Sequence, residues 1–549
     1  MVPVLKKAAR TLSVVTASAL RCRRFAAVSY SCGVSSEPLR GLSIGATLDI
    51  VAAANPARRA VVVPSQPRFG RGLTYAQLLE KTNAIAAGLL RLGIMPGDKV
   101  ALWSPNCAEW VVAQMACAKA GLILVSINPA SRASELEYAL RKVACKALIM
   151  ASLDASTDYV SILAGVVPEV ISAHSPAGLH SVRLPSLKHI VVLDHSATST
   201  PAHSQLPARS HPPGAHTWGD LTRMAGPADL ADMQSIAGSV DADDLCAVQV
   251  SAALSRVEIA CPTHICTPCD LQYTSGTTGS PKAAGLSHHN VLNNALLATA
   301  SQGLTSDDTI LCNVPMFHCF GQVLASLGIL SRGGALLMPS PRFDAELSLR
   351  AAAAEGATSL YAVPTMVIRL LQSPLFPEVR GSAFELREME RGACCLHASV
   401  IRGLVISFGA AATPNLWAPA HRDPGGKHSP RFARAGARYR VGPPWDHNWV
   451  RRHGFHAKAT HVATYVPYSC FSGGCRYGMT ETSPLSFQTT PSDPEWARCE
   501  TVGRVLPHTE AKIVDPATGR VVPRGTIGEL ATRGCVDLRC KGQALYRDA

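Results

Sequence analysis

The strongest constraint on the fold is an alternation in residues 72–151. Thr74 opens a predicted helix whose apolar residues Leu78, Ile85, Leu89 and Leu92 fall on one face. LGIMPGD then breaks the pattern, and KVALWS (99–104) reads as a buried strand. Asn106 with Glu109 predicts a capping pair for a helix running through Lys119. LILVSI (122–127) is a second strand. Ser134 with Glu137 predicts a capping box for a helix to about Cys145, and ALIMA (147–151) is a third strand. Strand, helix, strand, helix, strand at this spacing predicts an α/β fold with a doubly wound, mostly parallel sheet.

Residues 195–240, rich in Ser, Pro, His and Ala, read as a long surface connection or an irregular subdomain. The alternation resumes after residue 270. A helix is expected over about 288–297, then TILCNV (309–314), a helix near 320–330, ALLM (335–338) and TSLYAV (358–363). From residue 501 short strands with turn signals, TEAKIVD and IGELATRG, predict a small antiparallel, barrel-like part. Two stretches, 250–270 and 417–475, have neither helical nor strand periodicity and read as insertions or as translated non-coding sequence.

The chain has 549 residues and is 47% hydrophobic, enough for a large core. Its net charge of +13 is concentrated: residues 1–30 contribute six positive charges and residues 421–460 a net seven. A nucleic-acid binder spreads its cations over a folded face, so no nucleic-acid partner is expected. Residues 1–36 contain no Asp or Glu and are rich in Ala, Ser, Arg and Val, the composition of a mitochondrial transit peptide directing the chain to the matrix. No uncharged apolar stretch is long enough to span a membrane. The 18 cysteines lack paired spacing and are expected to be mostly core thiols.

One loop carries chemistry. Residues 274–282 read TSGTTGSPK, between a short predicted strand at Leu271–Tyr273 and the helix that follows. Its glycines let backbone N–H groups turn toward a ligand, its hydroxyls donate to phosphate oxygens, and Lys282 supplies a point charge. The P-loop pattern is absent. An ordinary solvated Ser/Thr/Gly turn is the alternative, and nine matching positions argue against it.

TSGTTGSPK with LSHHN (286–290) resembles the phosphate-binding motif of the acyl-adenylate-forming enzymes, also called AMP-binding enzymes. GDKVALWSPNCAEW, INPASRASELEYAL, PMFHCFG (315–321), YAVPTM (361–366), RYGMTETSP (476–484) and VGRVLPHTEAKIVD resemble further family segments in the same order. The texture is most similar to the mitochondrial acyl-CoA synthetase family member 2 group. The likeness covers about 45–249, 271–416 and 476–534 within a large domain of 45–534.

The resemblance implies a fatty acid–CoA ligase. A carboxylate, of a medium-chain fatty acid for that group, attacks the α-phosphate of ATP, and the acyl-adenylate then passes its acyl group to coenzyme A. Thr274, Ser275, Gly276, Thr277, Thr278, Gly279, Ser280, Pro281 and Lys282 would hold the leaving phosphates, with Thr278 and Lys282 also supporting catalysis. Tyr477 and Gly478 would contact adenine and Thr480 the α-phosphate. Glu481 would hold Mg²⁺, which prefers carboxylate oxygen. His318 would orient the acyl carboxylate as neutral imidazole. The segment 402–414 resembles the family's adenine-contact region.

The sequence departs from the family at Ala283 and Ala284, where it usually continues with glycine, and again in residues 535–549. No counterpart is found for the ribose-binding aspartate, the hinge or the mobile C-terminal domain with its lysine. The chain is therefore expected to adenylate poorly, and a non-catalytic nucleotide- or acyl-binding relative is the alternative. Two other patterns stay open: Cys261, Cys266 and Cys269 as part of an iron–sulfur or zinc site, and the basic, tryptophan-containing 421–460 as a single-strand RNA contact. Oligomeric state is not readable.

Overall fold

A computed structural model gives the fold. It describes residues 28–250 apart from 36–37, 67–68, 71, 153–156, 174, 177–178 and 194–210. It also describes 283–381, and 468–534 apart from 471–473, 479, 491, 495–496, 498–500 and 527.

The expected strands form a seven-stranded sheet in the order Ala283–Ser287, Leu245–Val250, Ile123–Ile127, Lys99–Trp103, Ala147–Ala151, His189–Leu193 and His216–Thr217. Every neighbouring pair is parallel except the first, where Ala283 lies opposite Val250 in an antiparallel seam. A second sheet has nine strands: Arg504–Val505, Leu485–Gln488, Gly474–Gly478, Tyr468–Cys470, Ser359–Tyr361, Thr309–Cys312, Ala335–Leu337, Arg59–Val62 and Leu73–Thr74. Its middle seams are parallel and both flanks are antiparallel.

Alternation along the strands sorts side chains into layers. Val100 and Leu102 of one sheet, and Val61, Ile310 and Leu336 of the other, face a shared core. That core is filled by the helices Tyr75–Arg91, Ala108–Lys119 and the turns after Phe320. Ala101 and Trp103 face the opposite way, against Leu136, Tyr159 and Leu163. Val62, Leu311 and Leu337 likewise pack against Leu349, Val367 and Leu370. The result is five layers with two sheets around a helical centre. Helix Ala108–Lys119 is buried along its whole length, and its polar residues Glu109, Gln114 and Lys119 are bonded to Gln66, Gln322 and Asp49. Each large apolar side chain buried there, such as Trp110, contributes roughly 1.5–3 kcal/mol.

Thr74 caps its helix as expected: Gln77 N–H donates to Thr74 Oγ1 at 3.3 Å and Thr74 N–H to Gln77 Oε1 at 3.0 Å. Asn106 and Glu109 do not form a cap. The Asn106 amide instead donates to Val314 O at 3.0 Å and accepts from Met316 N–H at 2.8 Å, while Glu109 accepts from Gln66. Tertiary partners outbid the local pairing. The Ser134–Glu137 box is displaced by two residues: Ala133–Lys142 starts after Arg132, whose N–H donates to Glu135. Within 195–240, the described residues 211–240 include helices Trp218–Met224 and Pro227–Ser239, which bury Leu221 and Met233 against the central layer. Loop-like composition hid this because only one face of each helix is apolar.

The expected barrel-like part is an antiparallel sheet of Tyr30–Cys32, Thr509–Val514 and Glu529–Gly534, open among the described residues. Its first strand lies inside the segment whose composition marked it as a leader. Ser29 N–H donates to Val522 O and the Tyr30 hydroxyl to Glu510, which joins this strand to the C-terminal part of the described chain. Charge composition does not register a strand only three residues long.

Cys107, Cys117, Cys145, Cys246, Cys312 and Cys319 are buried thiols outside any disulfide, and burial pushes Cys117 and Cys145 up to about 12. No helix among the described residues is long and apolar enough to cross a membrane.

Candidate functional site

The site lies where three separated segments converge at strand ends. Strand Thr309–Cys312 leads into Pro315–Phe320, whose course is held by the Asn106 amide on both sides. The turn closes through His318 O, which accepts from Gly321 N–H at 2.9 Å and Gln322 N–H at 3.0 Å. Gly321 is needed for that closure: a Cβ there would lie 2.3 Å from Pro315 O. A π-helix, Phe320–Leu327, follows. This uncommon geometry coincides with Gln114 Nε2 donating to the Gln322 carbonyl at 3.0 Å, while Ser126 donates to Gln322 Oε1.

His318 is half-buried. Its Nδ1 accepts from Phe320 N–H at 3.1 Å, so in the neutral ring Nε2 carries the proton. Burial pushes its pKa down to about 4, because an apolar setting disfavours the charged imidazolium. Cys319, fully buried, places its Sγ 3.7 Å from His318 Nδ1 and 3.9 Å from Thr480 Oγ1.

The second segment is Gly474–Gly478 and the short 3-10 turn Thr480–Thr482. Tyr477 is 8% exposed and packs edge-on against Phe487 with ring centroids 5.9 Å apart. Burial raises its phenol pKa. At Gly478 the pairing with Leu485 is bulged, and a Cβ would lie 1.8 Å from Pro484 O. The backbone of Glu481 belongs to the turn beside the buried Thr480.

Sequence reasoning missed a ring stack that joins the third segment to the other two. Tyr361, from YAVPTM, lies 5.5 Å from Phe320 of PMFHCFG, ring to ring. The Arg476 guanidinium, 1% exposed, sits 5.1 Å above the Tyr361 ring. The Tyr361 hydroxyl donates to Gln302 at 3.1 Å. An arginine beside a glycine-rich motif reads as a phosphate contact or a surface charge, and no local signal reveals burial against an aromatic face.

Thr274 through Lys282, the segment 402–414, Cys261, Cys266, Cys269 and the basic stretch 421–460 lie outside the described residues, as does the Glu481 side chain. The ends that carry the loop are described. Val250 and Ala283 are paired neighbours, and Gln249 Nε2 donates to Phe317 O at 3.0 Å. The last described residue before the TSGTTGSPK loop and the first after it are thus neighbours, and the departing strand touches the turn bearing His318 through Gln249. Among the described residues no group of three or more His, Cys, Asp or Glu is placed to hold a metal ion.

The family model of AMP-binding enzymes matches residues 48–430 and 468–538. The mitochondrial medium-chain acyl-CoA ligase ACSF2 of Danio rerio is 31% identical over 513 residues, 93% of this chain and 68% of the relative. The Homo sapiens protein of the same name is 32% identical over 524 residues, 94% and 68%. A long-chain-fatty-acid-CoA ligase from Archaeoglobus fulgidus shares the fold with a TM-score of 0.58 at 16% identity, covering 93% of this chain and 78% of that one. ATP-bound MatB from Rhodopseudomonas palustris does so at 0.56 and 22% identity, covering 91% and 71%.

Proposed function

The chain belongs to the AMP-binding enzyme family, and from that premise we propose that it activates a medium-chain fatty acid in the mitochondrial matrix through an acyl-adenylate to acyl-CoA. The observation that carries the reading is the 3.9 Å approach of Cys319 to Thr480, which brings the PMFH turn and the YGMTE turn to one place. An acyl carboxylate beside His318 would there face an α-phosphate beside Thr480.

A carboxylate oxygen forms a bond to the α-phosphorus while the bond to the bridging oxygen breaks, and pyrophosphate leaves with the electron pair. The coenzyme A sulfur then attacks the acyl carbon, and AMP leaves. No protein nucleophile is required, so the residues act by positioning and charge neutralisation. Neutral His318, its ring orientation fixed by Phe320 N–H on Nδ1, would donate through Nε2–H to the acyl carboxylate. Thr480 would donate to the α-phosphate, and Tyr477 with Gly478 would border adenine. Thr274, Ser275, Gly276, Thr277, Thr278, Gly279 and Lys282 would hold the leaving pyrophosphate. Glu481 supplies the hard oxygen donor that suits Mg²⁺, which would offset phosphate charge there. The mitochondrial assignment draws on the acid-free basic N-terminus and on the names of the ACSF2 relatives.

ATP–pyrophosphate exchange by the full chain, with acetate, octanoate and palmitate in turn, tests the proposal. The expected result is exchange that is fastest with octanoate and falls about a hundredfold in His318→Ala. Exchange with none of the three would overturn the ligase reading, and a preference for acetate or palmitate would overturn the chain length.

A further inference from the structure

Helix His288–Ala300 begins one strand after Lys282 and carries two adjacent asparagines that each bind the main chain of a distant residue. Asn293, 3% exposed, accepts from Arg40 N–H at 2.8 Å and donates to Arg40 O at 3.0 Å. Asn294, fully buried, accepts from Leu485 N–H at 3.1 Å and donates to Leu485 O at 2.7 Å. In each case a side-chain amide satisfies both backbone groups of one residue, as a neighbouring strand would.

The two targets differ in what they hold. Arg40 belongs to the N-terminal segment and to none of the strands that frame the YGMTE turn. Leu485 stands opposite Gly478 across the bulge, and the carbonyl of Pro484 just before it fills the space that a Cβ at 478 would need. The Thr482 hydroxyl donates to that same carbonyl at 2.9 Å. Asn294 thus ties helix His288–Ala300 to the strand Leu485–Gln488 that pairs with Tyr477 and Gly478.

We infer that Asn294 is a positioning residue for adenylation: through Leu485 its amide fixes the turn proposed to receive adenine and the α-phosphate against helix His288–Ala300. The inference rests on the ligase reading above. Loss of the amide frees Leu485 N–H and C=O in a dry interior and lets the Gly478–Thr482 segment shift relative to the helix. Since the reacting groups must meet within a fraction of an ångström, a small shift costs much rate.

The test uses the full chain with Asn294→Leu, Asn294→Asp and, as a control on the same helix, Asn293→Leu, which removes the pair of bonds to Arg40 and a third to His289 O. Expected for Asn294→Leu is a KM for ATP raised about tenfold or more, with the KM for fatty acid changed less than about twofold. Asn294→Asp, which keeps the acceptor for Leu485 N–H, is expected to fall between it and the unaltered chain. Asn293→Leu is expected to leave both constants within about twofold. Equal losses in Asn293→Leu and Asn294→Leu would reduce Asn294 to a structural role and overturn the inference. If the unaltered chain shows no exchange at all, the ligase reading fails, and amide hydrogen exchange over residues 476–486 decides the clamp by itself. Faster exchange there in Asn294→Leu alone supports the clamp, and the same rate in both variants refutes it.

Discussion

The seven-stranded sheet is parallel along every seam but one, and its strands are apolar on both faces with helices stacked on each. The flank Gly474–Val505 of the nine-stranded sheet is antiparallel, bulged at Tyr477–Gly478, and holds a buried arginine in place of an aliphatic. The first region is built by rules that act over a few residues. The second is built by contacts between segments more than a hundred residues apart, such as Tyr361 with Arg476 and Asn294 with Leu485. A scaffold tolerates local error because many equivalent contacts share the load; a site held by single contacts does not.

The largest expected difference between the regions is at their glycines. Gly478→Ala drives a Cβ to 1.8 Å from a backbone carbonyl that is itself fixed by Thr482, so the turn must move. Pyrophosphate exchange is expected to fall by about a hundredfold. Gly97 in the scaffold has a positive φ of 86° but open space around it. Gly97→Ala is expected to cost only about 1 kcal/mol, seen as a small drop in thermal midpoint with exchange activity retained. Similar losses of activity in both would erase the distinction.

That contrast also sets how much could be read in advance. Strands Lys99–Trp103, Ile123–Ile127 and Ala147–Ala151 matched their apolar runs within a residue or so, since a strand buried on both faces has no other composition open to it. The family segments gave the identity of Tyr477, Thr480 and His318 as candidates, and the structure brings His318 and Thr480 together around Cys319. Tyr361, Arg476 and Asn294 were invisible because their partners are remote in sequence. Asn106 was misread for the same reason: a side chain suited to capping was recruited by Val314 and Met316.

A middle-sized effect is expected where the two regions meet. His288, fully buried, accepts from Ile44 N–H through Nδ1, and burial pushes its pKa down to about 4, with Asp244 and Asp241 opposing the shift. His318 is lowered to about 4 as well. A histidine in the unfolded chain titrates near 6.5, so between pH 6.5 and about 4 the unfolded state binds more protons than the folded one. Stability is therefore complete above pH 6.5 and is lost progressively as pH falls toward 4. Thermal midpoints measured at intervals from pH 7.5 to 4.5 should decline, and His288→Gln should decline less steeply over the same range. A slope unchanged by that substitution would mean that the acid sensitivity lies elsewhere, for example at His189 and His216 on the far edge of the scaffold sheet, both also lowered by burial.

The smallest expected effect tests whether the legible region is as forgiving as its construction implies. Thr74 caps the helix Tyr75–Arg91 through the Gln77 N–H, and Gln77 returns a bond to the Thr74 N–H. Thr74→Ala leaves the Gln77 N–H to water, which can reach it because this helix end is solvent-accessible. The cost should be about 1 kcal/mol, with no change in the KM for ATP. The helix stays in place because Leu78, Ile85 and Leu89 on its inner face are fully buried in the central layer, and their burial outweighs a single cap. Chemical denaturation should show a reduced midpoint with an unchanged slope. A Thr74→Ala chain that also lost pyrophosphate exchange would show that scaffold and site share one cooperative unit, in which even the locally encoded signals are catalytic constraints.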